Sequence, residues 1–531
     1  MTDPTPTHTP ATGDPIVVNS LDLPTEFDPT DTTDPYTTRI ASLLQRGLFR
    51  YDAKGKSVPE VAQTVETTDD RVYRVTLAEG WRFSNGEPVT ADSFVDAWSL
   101  AADPAHPRLR RDLFAPIEGF VPSADLQPTT SPATAPATPP PGSKDRPTGR
   151  SPRLAGLTVL DGRTFTITLS RPHPKFDQRL GHAVFAPLPD VAFTDPAGFR
   201  RAPVGNGPYQ IEGAWTADGD LRLRPNAAYT AADPAQNAGL VFRPYSDPAA
   251  AWRDVEAGRL DVLDVVPTHE LADYQGRFGE RAVNQPVGVT LGLVVPAGAP
   301  HWSGEAGTAR RAALSLAIDR EALAREVFAG TRTVATDLAA PVVEGHSRDL
   351  CAELCRLDRD EALSLLAGAG PPPGGVSIAY ADDLDEGPFA RALCADLTST
   401  LQVTCTPREY LTAQALAEAV DAGRESGPYL ARHQMDYPQL ESFLVPRFAL
   451  GALTNDSGYA DPATDAALTR AATATPPERI PRFQAVQKDI LETLPVIPLV
   501  NVHATAVSSA SVSGVRIDVF GSPGYTQIRR P

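Results

Sequence analysis

Between Val72 and Trp98 consecutive residues spell out a strand, a turn and a capped helix. Val72, Arg74 and Thr76 alternate with Tyr73, Val75 and Leu77, the period of a strand with one buried face. Ala78-Glu79-Gly80 turns the chain into the aromatic pair Trp81 and Phe83. Asn85-Gly86 tolerates positive φ and Pro88 fixes the next φ. Thr90 then stands where a helix N-cap belongs, with Ala91-Asp92-Ser93 as the first turn and Phe94, Ala97 and Trp98 on one face. A chain containing this must pack helices on sheets.

Length bounds the answer further. At 531 residues the chain is too long for one core, so two or three domains are expected. With 41% hydrophobic and 21% charged residues it is globular, and 66 acidic against 48 basic residues, net −18, argue against nucleic acid or an anionic membrane as the main partner. That balance suits a monomer. No run of about twenty apolar residues is present to span a bilayer. Met1 to Asp14 is a polar tail of Thr, Pro and Asp, with no basic start, apolar stretch or cleavage site.

Further along, Ile16 to Val18 reads as a strand, Glu26-Phe27-Asp28-Pro29 as a turn, and Ile40 to Phe49 as a helix. Residues 121–153 are dominated by Pro, Thr, Ala and Ser, which bury little, so a mobile surface loop is expected there. Val204-Gly205-Asn206-Gly207-Pro208-Tyr209 precedes Trp215, Asn226 and Tyr229. The two glycines allow a backbone path closed to other residues, and no Lys-Ser or Lys-Thr follows to make a phosphate loop. Ala309-Arg310-Arg311-Ala312 and Ala317-Ile318-Asp319-Arg320 lie in a helix pair, with Asp319 as the second N-cap. Val376 to Tyr380, Pro388 to Thr400 and Val403 to Thr406 form a strand-helix-strand unit. Tyr429 to Tyr437 ends a strand, and Ile490 to Leu499 closes the pattern.

The Trp81–Trp98 signature, the Gly-x-Gly-Pro-Tyr run with its Trp and Asn-x-x-Tyr, the Ala-Ile-Asp-Arg helix pair, and Asn455, Tyr459, Asp461-Pro462 and Asp465 occur in the order found in bacterial extracellular solute-binding proteins of family 5. The chain resembles that family from about Val17 to Gly521. The resemblance implies an α/β fold of the type II periplasmic-binding-protein kind, two-lobed, with an extra domain inserted in the large lobe. On this reading 1–15 is a flexible tail. Residues 16–45, 171–287 and 501–531 form large-lobe domain I, 46–170 inserted domain II, and 288–500 small-lobe domain III.

The function implied is capture of oligopeptides or dipeptides between two lobes and delivery to the membrane permease of an ABC importer. The alternative keeps the fold as a carrier or sensor of a non-peptide small molecule, such as an amino-acid derivative, a nickel complex or haem, with no importer. Family members are exported, often as lipoproteins, which implies the extracellular face of the membrane with the signal segment absent from this sequence; a cytoplasmic protein is the competing reading. The predominance of Arg over Lys hints at a GC-rich genome such as an actinobacterium's.

No nucleophile-base pair, zinc helix or Walker loop is visible, so neither an enzyme nor a cofactor is expected. In the family's peptide binders a Trp-x-Ala-Asp-Tyr run places its Asp against the ligand's α-ammonium. Here Asp436-Tyr437 is retained, while His433 takes the Trp position and Met435 the Ala position. The ligand-binding residues implied are therefore Asp436, His433, Arg432 and Gln434, with Leu23, Pro24 and Arg108 or Arg110 lining the opposite side. An Asp that merely caps the turn into Tyr437-Pro438 is the plainer reading.

The four cysteines suit an oxidised compartment. Cys351 with Cys355 and Cys394 with Cys405 can form two local disulfides; a zinc site and two free buried pairs are the alternatives, although neither pair has a two-residue zinc spacing.

Overall fold

A computed structural model describes residues 13–20, 23–24, 26–28, 35–105, 110–122, 150–296, 298–452 and 454–531. The chain divides into two compact units: Met1–Leu263 with Ser508–Arg516 and Ser522–Pro531, and Asp264–Val507 with Ile517–Gly521.

In the first unit the strand Ile16–Ser20 runs parallel to Leu240–Pro244 on one side and meets Val262–Leu263 in parallel on the other. Leu240–Pro244 continues antiparallel to Leu221–Pro225, and that strand to Tyr209–Ile211. Ile16, Val18, Leu240, Phe242 and Tyr209 are buried beneath the helix Pro35–Leu44, whose Ile40, Ala41 and Leu44 join the same core. Neither Gly205 nor Gly207 has a positive φ. They are required by space, because a Cβ would stand 1.9 Å from the Leu44 carbonyl oxygen at Gly205 and 2.3 Å from that of Leu43 at Gly207. Asn206, fully buried, locks the approach by exchanging both amide hydrogen bonds with the Arg46 backbone, at 2.9 and 3.0 Å.

The same unit holds an antiparallel sheet in the order Ala62–Glu66, Val72–Leu77, Thr164–Thr168, Leu157–Asp161. The helix Ala91–Ala102 begins at Thr90, which shares a capping box with Ser93, so the sequence's turn chemistry is realised at that end. Its Trp98 is wholly buried among Phe94, Phe114, Phe165 and Phe185, and its indole N–H donates to the Phe185 carbonyl at 2.9 Å.

Of the expected mobile loop 121–153, residues 123–149 lie outside the described residues. The end of that stretch departs from the expectation. Arg150 pairs with Asp96 and Asp190, and Arg153 pairs with Asp92 and, at 2.8 Å, with Asp96. Asp96 is buried on the helix, and its carboxylate recruits these two arginines as partners. Ser151 and Leu154 are buried beside it.

The second unit is built on strands in the order Cys405–Tyr410, Val376–Ala381, Tyr429–Gln434, Ala282–Val294, Val496–Ser508, with Thr333–Val334 on the far side of the last. Val376–Ala381 and Cys405–Tyr410 are parallel and joined by the helix Gly387–Leu401, the crossover that parallel strands need. The domain boundaries expected at 288 and 500 fall inside this unit. Ala282 to Pro286 pair in register with Val507 to His503, and the Val519 carbonyl accepts the Gly288 N–H. Those contacts hold residues 282–287, 501–507 and 517–521 to the second unit.

Candidate functional site

Asp436 follows the strand Tyr429–Gln434, which is central in its sheet. Along a strand successive side chains alternate in direction, and here the alternation sorts the residues. Arg432 turns to Glu386, its Nε 3.0 Å from Oε1, and donates to the Leu384 carbonyl at 2.6 Å. Glu386 is almost fully buried, and burial raises its carboxyl above the ordinary range against the pull of Arg432 and Arg332. Gln434 donates to the Phe520 carbonyl at 3.2 Å.

His433 faces the other way. Its Nε2 lies 3.1 Å from the Ser442 carbonyl, so the proton sits on Nε2 in this contact, and its ring meets Phe443 edge-on at 5.2 Å. Ser442 is itself fully buried on the helix Leu440–Phe448. Its hydroxyl accepts the backbone N–H of Asp436 at 2.7 Å and that of Tyr437 at 3.3 Å. One serine therefore grips both ends of the segment His433–Tyr437 and sets where the Asp436 carboxylate, 5% exposed, is held. The helix start is fixed in turn by buried Arg479, which donates to Gln439 at 2.7 Å and Glu441 at 2.5 Å.

Beneath Asp436 the packing is tight. Met435 donates its N–H to the Gly288 carbonyl at 2.9 Å, and a Cβ at Gly288 would fall 2.4 Å from the Met435 sulfur. Met435, in the alanine position of the family's run, therefore packs its side chain directly on Gly288.

The structure thus joins His433 to Asp436 through Ser442 and sends Arg432 and Gln434 to other partners. Leu23 and Pro24 belong to the first unit. Leu23 is buried and its N–H donates to the Ala217 carbonyl at 3.3 Å, while the Pro24 carbonyl accepts the Trp215 indole N–H at 2.7 Å. Arg110 stands before the 3₁₀ turn Arg111–Phe114, and Arg108 lies outside the described residues. Cys351 is bonded to Cys355 and Cys394 to Cys405, with Cα separations of 5.4 and 5.0 Å. Among the described residues no group of three or more His, Cys, Asp or Glu could hold a metal ion.

Sequence reasoning missed Ser442, Glu386 and Arg479. The first carries no motif signal. The other two are lost among neighbouring charges, Asp382, Asp383 and Asp385 before Glu386 and Glu478 and Arg482 around Arg479, and their partners are 46 and 38 residues away.

Comparison with known proteins bears on this geometry. The chain is 25% identical over 508 residues to the periplasmic oligopeptide-binding protein OppA of Haemophilus influenzae, covering 92% of this chain and 88% of that protein. Its structure is similar to that of the Escherichia coli murein tripeptide binding protein MppA, with a TM-score of 0.83 and 20% identity over 98% of this chain and 99% of the other. It is also similar to Haemophilus influenzae OppA in complex with RPPGFSPFR, with a TM-score of 0.81 and 21% identity over 97% and 98% of the two chains. The model of the bacterial extracellular solute-binding proteins, family 5, matches residues 56–450. With most of its length so matched and its fold shared, the chain belongs to the bacterial extracellular solute-binding proteins of family 5.

Proposed function

We propose that this protein captures peptides at the extracellular face of the cell membrane and hands them to the permease of an ABC importer, with Asp436 as the anion that fixes the ligand's primary ammonium. The observation that carries the reading is the setting of Asp436: a carboxylate only 5% exposed, on a turn whose backbone is clamped by Ser442. A carboxylate held in place in this way can pair with a cation, and an α-ammonium is the cation common to every peptide sequence. One acid can therefore serve a binder that tolerates many side chains. The relatives whose names refer to oligopeptides and a murein tripeptide support the same ligand class.

His433 and Met435 give the wall a different shape from the family's Trp and Ala, so the side-chain preference is this protein's own. No bond is made or broken in this reading; the protein binds and releases. The protein purified under native conditions should release peptides with free N-termini on mild denaturation, detectable by mass spectrometry. Released material made only of metabolites lacking a peptide bond would overturn the assignment.

A further inference from the structure

In the second unit the helices Gly304–Ala317 and Arg359–Ala369 pack along one another and leave an open groove of about 770 Å³. Ala309, Ala312 and Leu316 line it from the first helix and Leu365 from the second. Positions 309, 312 and 316 follow at helical spacing and so share one face. The third wall is Leu354, inside the loop that the Cys351–Cys355 disulfide closes. That loop is tied to the first helix. The Ser315 hydroxyl donates to the Leu354 carbonyl at 2.5 Å, and the Asp358 N–H donates to the Leu316 carbonyl at 2.8 Å. Buried Arg320 holds the same loop, donating to the Cys355 carbonyl at 3.0 Å. The groove is therefore formed before anything enters it, which lowers the cost of binding there.

Its place in the sheet separates it from the candidate site. Arg320 also donates to the Pro498 carbonyl at 2.7 Å, Pro498 is in register with Gly292, and Gly292 with Ala431, five residues before Asp436.

The floor is apolar and the rim is acidic. Glu305, Glu353, Asp358 and Glu361 stand against Arg356, which pairs with Glu353. Asp358 caps the second helix, accepting the Glu361 N–H at 3.1 Å. Glu305 and Glu361, one on each helix, have exposed carboxylates with no ion pair or hydrogen bond among the described residues. A partner seated on the floor thus meets an unspent negative charge on both sides. Alanines on the floor let a helix axis come close. The eleven residues from Glu305 to Leu316 cover about 16 Å, or three helical turns. A second copy of a chain with net charge −18 would bring like charge to this rim.

We propose that this groove docks a basic amphipathic helix of about three turns from a partner protein, its apolar face on Ala309, Ala312 and Leu354 and its Lys or Arg residues against Glu305 and Glu361. The mode is that of a helix laid in a groove, with the charges choosing the partner.

The test is fluorescence anisotropy with a labelled synthetic peptide of about three turns, N-acetylated and C-amidated, with Leu and Ala on one face and Lys on both flanks. Its controls are the same peptide with Glu for Lys, and a scrambled peptide of the first composition without helical periodicity. Wild type should bind the Lys peptide at least about tenfold more tightly than either control. Glu305→Lys/Glu361→Lys should invert the preference toward the Glu peptide, a gain of binding that also shows the variant is folded. Ala312→Trp should weaken binding of the Lys peptide, and Asp436→Asn should leave it unchanged. Failure of wild type to bind the Lys peptide overturns the proposal. Equal binding of the scrambled peptide does so as well, since the rim would then attract charge alone. So does a Lys preference that survives the double charge reversal. Loss of binding in Asp436→Asn would put the peptide at the candidate ligand site instead. Dimerisation of wild type that Ala312→Trp abolishes would put a second copy in the groove, and either result overturns the proposal.

Discussion

The hydroxyl of Ser442 accepts the backbone N–H of Asp436 at 2.7 Å, so a residue on the helix Leu440–Phe448 positions a carboxylate that follows a strand. Ser442→Ala would leave the N–H groups of Asp436 and Tyr437 facing a methyl group. A buried donor left unsatisfied costs about 1–3 kcal/mol, so a loss of about 2 kcal/mol is expected in urea unfolding, with a weaker affinity for any bound peptide. Unchanged unfolding and affinity would mean that the turn is held by other contacts.

Gly288→Ala is expected to disturb the same turn from below. The added Cβ would fall within 2.6 Å of three Met435 side-chain atoms, including the sulfur, and overpacking of this kind costs about 1–3 kcal/mol. Because those atoms belong to a flexible side chain, Met435→Ala in the same protein should recover most of the loss. Thermal unfolding of the two single variants and the double variant measures it, and additive losses would contradict the contact.

Much of this was readable in the sequence, and what was not has a physical reason. Thr90 and Asp319 illustrate the first case and Gly288 the second. The cap at Thr90 and the cap at Asp319, whose carboxylate accepts the Ala322 N–H at 2.9 Å, are local: donor and acceptor lie within three residues, so residue type and spacing suffice. The constraint on Gly288 comes from Met435, far along the chain, and no periodicity announces it. Arg150 shows the same limit in reverse. Its neighbours are Pro, Thr and Ser, but its partner Asp96 sits on a helix 54 residues earlier, so composition read a loop where an ion pair holds the chain. At the candidate site the strand and Asp436 were legible, whereas the alternation that turns Arg432 to Glu386 needed the sheet register.

In the first unit, Asp261 is buried and its carboxylate accepts four hydrogen bonds: from the Val17 N–H at 2.8 Å, the Ser509 hydroxyl at 3.1 Å, the Ser511 hydroxyl at 2.8 Å and Arg530 at 2.6 Å. Asp261→Ala removes the shared acceptor of three chain segments. A loss of about 3–5 kcal/mol is expected, the range for breaking a buried charge pair. Hydrogen exchange should quicken at Val17 and along 508–511, and exchange unchanged there would contradict the account.

His503 supplies a pH dependence. Burial, then the charge of Arg332, lowers its pKa below the ordinary 6.5. The unfolded chain therefore binds the proton more readily than the folded one. This contribution to stability is fully present above about pH 6.5 and is lost as pH falls from there toward the depressed folded value. Melting temperature followed from pH 8 to pH 5 should fall less steeply in His503→Gln than in wild type. Parallel curves would show that the imidazole does not take part.

The central claim is that Asp436 holds the ligand's ammonium, and N-acetylation tests it most directly. Removing one member of an enclosed charge pair costs about 3–5 kcal/mol, or about two to three or more decades in affinity, whereas a lost cap costs about 1 kcal/mol of stability and barely touches binding. Calorimetric titration of wild type and Asp436→Asn is made with one binding peptide, free and N-acetylated. The account predicts tight binding for wild type with the free peptide, and a loss of about two or more decades on acetylation, on substitution, and on both together. Equal binding of the free and acetylated peptides by wild type would contradict it, as would an Asp436→Asn variant that keeps wild-type affinity for the free peptide.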